Sequence, residues 1–219
     1  MINNSSFFCS WSGGKDSCLA LYRAIDQGGV PSYLFNMLTE NGQRSRSHGI
    51  PREIIEKQAE SLKIPVIFGS ASWQGYKEEF ISVLSEIKKN DTNYGIFGDI
   101  DLEEHREWLE KVCSSVQIKA YLPLWQEKRE SLVKELLDLN FKAMVISVKD
   151  DVVAKEYLGK IFDWDMVQDF KNADIDISGE GGEFHTLVID GPIFSFPLQV
   201  KPKEKYWRDG YWSMDIGLK

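Results

Sequence analysis

A six-residue segment near the start of the chain, SGGKDS at residues 12–17, constrains the fold more than any other. It follows an apolar run at residues 6–11 and precedes an amphipathic run at residues 17–27. Two adjacent glycines allow a tight turn that brings backbone N–H groups against an anion, and the positive end of the next helix adds to this attraction. Lys15 supplies a full charge, and Asp16 and Ser17 stand where they could cap the helix. We expect a phosphate-binding loop here; a glycine turn without a ligand is the alternative.

The first half of the chain alternates short apolar runs with longer amphipathic runs. The pattern predicts helices at residues 17–27, 51–62, 76–88 and 103–114, which separate strands at residues 6–11, 32–38, 64–68, 94–97 and 117–120. Helices of this length between strands indicate parallel βαβ crossovers, so we expect an α/β fold with a doubly wound parallel sheet. In the strand order 3-2-1-4-5, the loops after the first and fourth strands meet at the switch point, where such sheets bind ligands.

The pattern changes after Pro123. A helix at residues 127–139 and a strand at 142–148 are followed by a partly helical stretch at 158–170 and a β-rich tail that begins with a strand at 185–189. We place a domain boundary near Tyr121. Residues 1–121 then form the domain with the parallel sheet, and residues 122–219 form a smaller α+β domain.

Charge and cysteine content restrict the class of protein. The 219-residue chain has a formal net charge of -8, which disfavours a broad nucleic-acid-binding surface. Its three cysteines form no CxxC pair, which is typical of a protein in the reducing cytoplasm. No apolar run approaches the length that a bilayer requires, and the start of the chain lacks the pattern of a signal peptide. We therefore expect a cytoplasmic protein without a membrane segment.

The glycine-rich segment does not match the two best-known nucleotide-binding loops. A Walker A motif requires glycine where this chain has Cys9, and the G-x-G-x-x-G fingerprint is absent. SGGKDS instead resembles the PP-loop of the ATP pyrophosphatase superfamily, whose pattern is SGGxDS. The resemblance implies a Rossmann-like HUP fold. It also implies an enzyme that cleaves ATP between the α and β phosphates, activates a carbonyl or carboxyl oxygen as an adenylate and releases pyrophosphate. It implies that ATP and pyrophosphate contact Ser10, Ser12, Gly13, Gly14, Lys15, Asp16 and Ser17.

A second segment, SGEGGEFHTLVIDGPIF at residues 178–194, resembles the signature of the diphthine–ammonia ligase branch of that superfamily, the diphthamide synthases. Gly98-Asp99-Ile100 and Pro123-Leu124-Trp125 also resemble that branch. The resemblance implies ATP-dependent amidation of the diphthine carboxylate on translation elongation factor two, with ammonium as the nitrogen source and Mg²⁺ accompanying ATP. It assigns ATP binding to residues 1–121, and substrate and ammonia to residues 122–219.

Three carboxylates, Asp99, Glu180 and Glu183, are the candidates for catalysis beside Lys15. Carboxylates close together in a glycine-rich loop repel each other unless a cation lies between them, and ammonium or Mg²⁺ would be that cation. One glutamate could take a proton from ammonium and so free the nucleophile. A solvated turn is the alternative for the glutamates, and a helix-entry turn is the alternative for Asp99. Candidate substrate-binding residues are Arg46, His48, Gly181, Gly182, His185 and Thr186.

The loop NGQRSRSHGI at residues 41–50 brings Arg44, Arg46 and His48 close to Arg52. It follows the second predicted strand, so the positive cluster could bind phosphate or an acidic protein surface; a solvated loop is the alternative. We do not expect His48 and His185 to bind a metal, because no cysteine or carboxylate stands at a ligand spacing. Four tryptophans are expected in the core or at an interface rather than against a nucleotide: Trp73, Trp108, Trp125 and Trp164.

Two other function classes stay open. One is a tRNA-modifying PP-loop enzyme, whose thiolating members use a reactive cysteine. Cys9 and Cys18 fall on a strand and a helix, where burial would make them inert. The other class is a nucleotide-binding module without catalysis, against which Lys15 and the two glutamates count. For the amidating enzyme we expect no tRNA partner, and a homodimer is left open.

Overall fold

The computed structural model describes residues 2–219 of the chain. Its first half alternates strands and helices close to the predicted bounds. These elements are β1 (Ser6–Ser10), α1 (Lys15–Asp26), β2 (Val30–Leu38), α2 (Arg52–Leu62), β3 (Val66–Ser70), α3 (Tyr76–Lys88), β4 (Tyr94–Ile96), α4 (Glu103–Ser115) and β5 (Lys119–Tyr121). The five strands form one parallel sheet in the order β3-β2-β1-β4-β5, which confirms the predicted doubly wound α/β fold.

Side chains of the central strands alternate between the two faces of this sheet. From β1, Phe7 and Cys9 enter a core with α1 and α2, whereas Phe8 enters a second core with α3 and α4. A strand that is buried on both faces has a continuous apolar sequence, and FFCSW around β1 is such a run. Because helices cover both faces, ligands reach this sheet at the carboxyl ends of its strands.

The second half of the chain forms a separate sheet of four strands, flanked by two helices and a short 3-10 turn. These elements are α5 (Arg129–Asp138), β6 (Lys142–Lys149), the 3-10 turn (Lys155–Tyr157), α6 (Trp164–Asn172), β7 (Phe184–Asp190), β8 (Val200–Arg208) and β9 (Tyr211–Leu218). The strand order is β7-β6-β9-β8, and all three pairings are antiparallel. This sheet confirms the predicted change to an α+β arrangement. Within residues 2–219, no helix has the length and apolar character needed to cross a membrane.

One apolar cluster joins the two halves. It extends from Leu19 and Leu21 of α1 to Phe141 and to Val188 of β7. This cluster is therefore continuous between the two halves, and the domain boundary near Tyr121 stays a prediction. Because β7 packs against α1, the glycine-rich segment that leads into β7 opens beside SGGKDS.

Helix α1 begins two residues earlier than predicted. Lys15 is its first residue, and Gly14 occupies the N-cap position without a side-chain cap. The prediction that Asp16 and Ser17 cap the helix was wrong, because both lie inside the first turn. Asp16 bonds the Lys15 ammonium, and Ser17 Oγ donates to the Gly14 carbonyl at 3.1 Å. A helix N-terminus that its own side chains do not cap can present its backbone N–H groups to an anion.

Candidate functional site

A cavity of about 570 Å³ opens at the carboxyl ends of β1, β2 and β4. This is the switch point of the sheet, because β1 lies between β2 and β4. The β1–α1 loop, the loop after β4 and the segment that leads into β7 all contribute to its wall. Predicted site residues on the wall are Ser10, Ser12, Lys15, Asp16, Ser17, Arg46, His48, Asp99, Glu180, Gly182, His185 and Thr186. The other predicted residues, Gly13, Gly14, Gly181 and Glu183, are not part of it.

The two glycines of SGGKDS are needed for different reasons. Gly13 has a φ of +82°, a left-handed conformation that glycine adopts without strain. Gly14 lies so close to His48 that a Cβ would be 2.4 Å from His48 Cε1. Ser12 Oγ accepts a hydrogen bond from Gly14 N at 3.2 Å and lies 3.0 Å from Ser17 Oγ. The turn therefore needs glycine at the first position for its conformation as well as for space, since a Cβ on Gly13 would lie 2.8 Å from Gln58 Oε1, and at the second position for space.

The SGGKDS loop is held in place by groups on α2 and β7. Gln58 is fully buried, and its Nε2 donates to the carbonyls of Gly13 at 3.0 Å and Val188 at 2.7 Å. Val188 N donates to the same Gly13 carbonyl at 2.9 Å. Lys15 N donates to Thr186 Oγ1 at 3.1 Å. The strand that follows the second motif therefore fixes the backbone of the first.

Lys15 faces the cavity although it is only 5 % exposed. Its Nζ lies 2.7 Å from Asp16 Oδ2 and 5.5 Å from the centre of the Phe184 ring. An anion in the cavity would meet this ammonium together with the first turn of α1.

The two glutamates of the loop GEGGE, residues 179–183, take different positions. Glu180 lines the cavity, and burial together with the negative charge of Asp16 raises the pKa of its carboxyl. Its Oε1 lies 3.5 Å from Ile100 N. Glu183 Oε2 is buried and has no hydrogen-bond partner within residues 2–219, and a Cβ on Gly181 would lie 2.4 Å from Glu183 Oε1. The structure thus brings one of the two predicted glutamates to the cavity wall.

The loop after β4 places Asp99 on the cavity wall. Asp99 Oδ1 lies 3.1 Å from His105 Nδ1, and this hydrogen bond raises the pKa of His105. The preceding residue, Gly98, is pressed against the first turn of α1: a Cβ there would lie 2.8 Å from the carbonyl carbon of Asp16 and from Ser17 N. A larger residue at Gly98 would push the loop that carries Asp99 away from the phosphate loop.

His48 and His185 stack with their ring centres 4.7 Å apart, and Tyr211 follows at 5.9 Å from His185. His48 Nδ1 lies 3.2 Å from the Thr186 carbonyl, which can only accept, so the proton is on Nδ1. Burial, His185 and Lys15 lower the pKa of His48, and burial and Lys15 lower that of His185 to about 4. Both rings are therefore neutral near pH 7. No group of three or more His, Cys, Asp or Glu side chains within residues 2–219 is placed to hold a metal ion.

Only two of the four basic residues of the 41–52 region line the cavity, and binding of phosphate or of an acidic protein surface by this region stays a prediction. Arg44 Nη2 pairs with Asp215 of β9 at 2.7 Å, and Arg52 pairs with a glutamate of its own helix at 2.8 Å. Arg46 and His48 line the cavity. Two isolated β-bridges fold the loop back on itself, which turns side chains that are close in sequence in different directions.

Part of the wall is apolar and aromatic. The Tyr76 ring centre lies 5.9 Å from that of Trp108, and the Phe80 ring centre lies 5.1 Å from it. Trp73 is 74 % exposed, and the Arg46 guanidinium lies over its ring, with Arg46 Cζ 4.8 Å from the ring centre. Trp73 and Trp108 were expected in the core or at an interface, whereas both line the cavity. The aromatic and other apolar residues of this part are Phe35, Met37, Trp73, Tyr76, Phe80, Phe97, Trp108 and Leu109.

Two buried polar atoms of the wall, Asn36 Oδ1 and Arg46 Nε, have no hydrogen-bond partner within residues 2–219. Asn36 Nδ2 donates to the Trp11 carbonyl at 2.6 Å, which fixes the orientation of the amide and leaves Oδ1 as an acceptor. A ligand that offers both a donor and an acceptor would satisfy the two atoms. Asn36 was not identified from the sequence, although an asparagine within the apolar strand YLFNML was a signal.

The three cysteines are free and buried. Burial raises the pKa of Cys9, Cys18 and Cys113. Each is therefore a thiol rather than a thiolate near pH 7, and none is an activated nucleophile.

Comparison with known families divides the chain into the same two halves. Residues 7–120 match the family model of the diphthamide synthase N-terminal domain, and residues 128–218 match that of the diphthamide synthase C-terminal domain. The chain belongs to the diphthamide synthase family. SGGKDS lies within the first match and GEGGE within the second, so the two motifs that meet at the cavity come from the two matched domains.

Curated relatives share one name. The "Diphthine--ammonia ligase" of Homo sapiens is 27% identical over 218 residues, which cover 88% of this chain and 82% of that protein. The Rattus norvegicus protein is 25% identical with the same coverage. The Schizosaccharomyces pombe protein is 25% identical over 88% of this chain but only 36% of its own length. A solved structure, a predicted subunit of tRNA methyltransferase from Methanocaldococcus jannaschii, covers 86% of this chain and 98% of its own at 14% identity; its TM-score of 0.47 is too low to support a conclusion.

Proposed function

We propose that this protein is an ATP-dependent ligase that adenylates a carboxylate and transfers ammonia to it, with release of AMP and pyrophosphate. The proposed substrate is diphthine on translation elongation factor two, and the product is diphthamide. One observation carries the proposal: β7, which leaves the GEGGE loop, hydrogen-bonds the SGGKDS loop, so that both motifs open into a single cavity. Family membership and the shared name of the relatives support the choice of substrate.

In the first half-reaction, a carboxylate oxygen of the substrate attacks the α-phosphorus of ATP. The new bond joins this oxygen to phosphorus, the bond from the α-phosphorus to the bridging oxygen breaks, and pyrophosphate leaves with the negative charge. Lys15 and the first turn of α1 would stabilise that charge, because both face the cavity where pyrophosphate would separate. Ser12 would donate its hydroxyl to the same phosphates, whereas the Ser17 hydroxyl already donates to the Gly14 carbonyl.

In the second half-reaction, ammonia attacks the carbonyl carbon of the adenylate. A carbon–nitrogen bond forms, the carbon–oxygen bond to AMP breaks, and one proton leaves the nitrogen. Glu180 is our candidate for the proton acceptor because its carboxyl lies on the wall, and burial and Asp16 move its pKa towards the range in which a carboxylate holds a proton. The role of Glu183 in this step stays a prediction.

Mg²⁺ would accompany ATP and offset the charge of its phosphates. Asp16, Asp99 and Glu180 line one wall but do not form a metal-binding group by themselves, so the phosphates of ATP would supply most of the ligands and one or two of these carboxylates would add an oxygen. The negative charges of Asp16 and Asp99 also raise the pKa of Glu180, and a cation brought by ATP would relieve this repulsion.

The aromatic part of the cavity wall is suited to the adenine and ribose of ATP. Tyr76, Phe80 and Trp108 offer aromatic faces to an adenine ring. Asn36 Oδ1 can accept a hydrogen bond, and Arg46 Nε can donate one. Adenine and ribose carry groups of both kinds, so the nucleotide portion of ATP complements this part of the wall.

The buried thiols favour the ligase over a thiolating tRNA-modifying enzyme, which would need a reactive cysteine. We also place the protein in the reducing cytoplasm, where free thiols persist. A homodimer stays a prediction.

Product analysis tests the proposal. The protein is incubated with ATP, ammonium chloride and diphthine-bearing elongation factor two, and the nucleotides and diphthamide are separated and identified. AMP, pyrophosphate and the amide are expected in equal amounts, without tRNA. ADP and phosphate would overturn the ligase, and AMP formation that depends on added tRNA would favour the tRNA-modifying class.

A further inference from the structure

Arg129, the first residue of α5, joins two loops of the cavity from behind. Its Nε and Nη2 donate to the two carboxylate oxygens of Asp101 at 2.8 and 2.9 Å. Its Nη1 donates to Asp176 Oδ2 at 2.5 Å. Arg129 itself is not part of the cavity wall. One guanidinium therefore connects the loop after β4 with the segment that leads into β7, and all three of its donor nitrogens are used.

Asp176 transmits this contact to the GEGGE loop. Its carboxylate accepts hydrogen bonds from Ser178 N at 2.9 Å and from Glu180 N at 3.2 Å. Burial alone would raise the pKa of Asp176, but the hydrogen bonds from Ser178 and the charge of Arg129 outweigh it, so the pKa is lowered. Asp176 is therefore an anion that holds the backbone on which Glu180 is carried.

Asp101 transmits the contact to the loop after β4. It stands two residues after Asp99, which lines the cavity. Between them, Ile100 N lies 3.5 Å from Glu180 Oε1, so the two loops also touch directly. The two carboxylates that Arg129 binds are each close in sequence to a carboxylate on the wall.

The two wall carboxylates repel each other, since the charge of Asp99 contributes to the unfavourable ionisation of Glu180. Loops that carry like charges move apart unless something holds them. Arg129 connects the two loops through its bonds to Asp101 and Asp176, independently of any cation in the cavity. It lies in the range matched to the C-terminal family domain, whereas Asp101 lies in the range matched to the N-terminal one, so the contact joins the two.

We propose that Arg129 is a positioning residue for amidation, which keeps Asp99 and Glu180 at a fixed separation through its bonds to Asp101 and Asp176. This inference rests on the proposed ligase function. Arginine is required because its planar fork binds one carboxylate with two nitrogens while the third nitrogen binds the other. A lysine ammonium carries the charge but cannot reproduce this geometry.

The test compares Arg129→Lys with Arg23→Lys. Arg23 is a matched control because it also forms a forked pair with a carboxylate of α5, Glu135, and does not line the cavity. Steady-state amide formation is measured with ATP, ammonium chloride and diphthine-bearing elongation factor two, beside ATP affinity and melting temperature. We expect Arg129→Lys to lower kcat by about 10²-fold, the usual cost of misplacing a catalytic group by about 1 Å, with ATP affinity unchanged. Arg23→Lys is expected to change the melting temperature but not kcat.

A double-mutant comparison separates positioning from stability. Asp101→Asn and Asp176→Asn should each lower kcat, and the double variant should lower it no further than the stronger single variant, because either change already breaks the connection. Additive losses, or a kcat of Arg129→Lys within twofold of the wild type, would overturn the inference. If the wild type itself makes no AMP, the proposed ligase function fails, which is a different result from an active wild type whose kcat is unchanged by Arg129→Lys.

Discussion

The SGGKDS loop and the GEGGE loop reach the same cavity but are held there by different forces. The first is held by buried, uncharged hydrogen bonds, in which Gln58 contacts Gly13, Val188 and Trp11. The second is held by ion pairs near the surface, in which Arg129 contacts Asp101 and Asp176. Buried neutral bonds open only with the fold, whereas exposed ion pairs are weakened by salt.

This difference agrees with the proposed tasks of the two loops. Phosphates need donors in fixed positions, because electrostatic stabilisation of a leaving group is effective only when the donors do not have to reorganise. A protein-borne carboxylate and ammonia must instead enter and leave beside Glu180. We therefore expect the SGGKDS loop to govern adenylation and the GEGGE loop to govern amidation.

The largest effect is expected for Glu180→Gln, which keeps the size of the side chain but removes the base. Amide formation should fall by about 10²–10⁴-fold, whereas exchange of pyrophosphate into ATP should persist. Glu183→Gln is the matched control in the same loop and should have a smaller effect, since Glu183 is not on the cavity wall. Full amide formation by Glu180→Gln would exclude it as the base. Loss of exchange together with amidation would assign it to Mg²⁺ or substrate docking.

The two loops also differ in how well they could be predicted from the sequence, because one depends on adjacent residues and the other on contacts with distant residues. The SGGKDS loop consists of six adjacent residues between a strand and a helix, so its position at the switch point of the sheet could be predicted, whereas its binding of phosphate stays a prediction. The GEGGE loop could be found as a motif, but its geometry depends on Arg129, which is 47 residues before Asp176. Whether Glu180 or Glu183 faces the cavity is set by such distant contacts, and alternation along the loop could not decide it.

Other residues of the cavity wall were also hard to predict where their position depends on contacts distant in sequence. Strand order followed from the alternation of strands and helices, and Lys15 followed from its motif. Tyr76 and Trp108 were missed because aromatic residues on helices usually enter the core, and only the packed structure leaves these at the surface of a cavity. Asn36 could have been suspected, because it is a polar residue within the apolar strand YLFNML. The pairing of Arg44 with Asp215 could not be predicted, because the two residues are 171 positions apart.

Lys15→Ala should affect both half-reactions and so mark the phosphate loop. Removal of one preorganised charge costs about 10²–10³-fold in rate, and a charge-assisted phosphate contact is worth about 1.5–3 kcal/mol, so ATP should bind at least tenfold more weakly. Exchange and amide formation are measured beside ATP titration, with Lys171→Ala on the exposed face of α6 as control. Unchanged ATP affinity and AMP production in Lys15→Ala would contradict the assignment.

Gln58→Leu tests whether the phosphate loop depends on its buried bonds. The substitution keeps the approximate volume but takes one donor from each of the Gly13 and Val188 carbonyls and leaves Trp11 Nε1 without its acceptor; the Gly13 carbonyl keeps its bond from Val188 N. Each buried polar group left unsatisfied costs about 1–3 kcal/mol, and each kcal/mol lowers the melting temperature of a chain of this size by about 2–4 °C. Arg129→Gln should lower it less, and only Arg129→Gln should lose its effect in high salt. Equal, salt-dependent losses in both variants would remove the distinction between the loops.

A smaller effect is expected from pH, through the histidines on β7 and the 41–50 loop. His185 has a pKa of about 4 in the folded protein, below its ordinary value near 6.5, because burial and Lys15 disfavour its charge. The unfolded chain therefore binds more protons between these two values, and stability falls as the pH drops through this window. The melting temperature of the wild type should decline more steeply from pH 6.5 to pH 4 than that of His185→Gln. Parallel curves would contradict the buried neutral state.

The division of the reaction between the two loops is tested most directly by pyrophosphate exchange in the wild-type protein. Radiolabelled pyrophosphate, ATP and diphthine-bearing elongation factor two are combined without ammonium, and label in ATP is followed over time. We expect label to enter ATP, because the adenylate forms at the SGGKDS loop without ammonia. Ammonium chloride should then convert the adenylate to amide and AMP. Absence of exchange until ammonium is added would contradict the division into two half-reactions, and so would exchange without the carboxylate substrate.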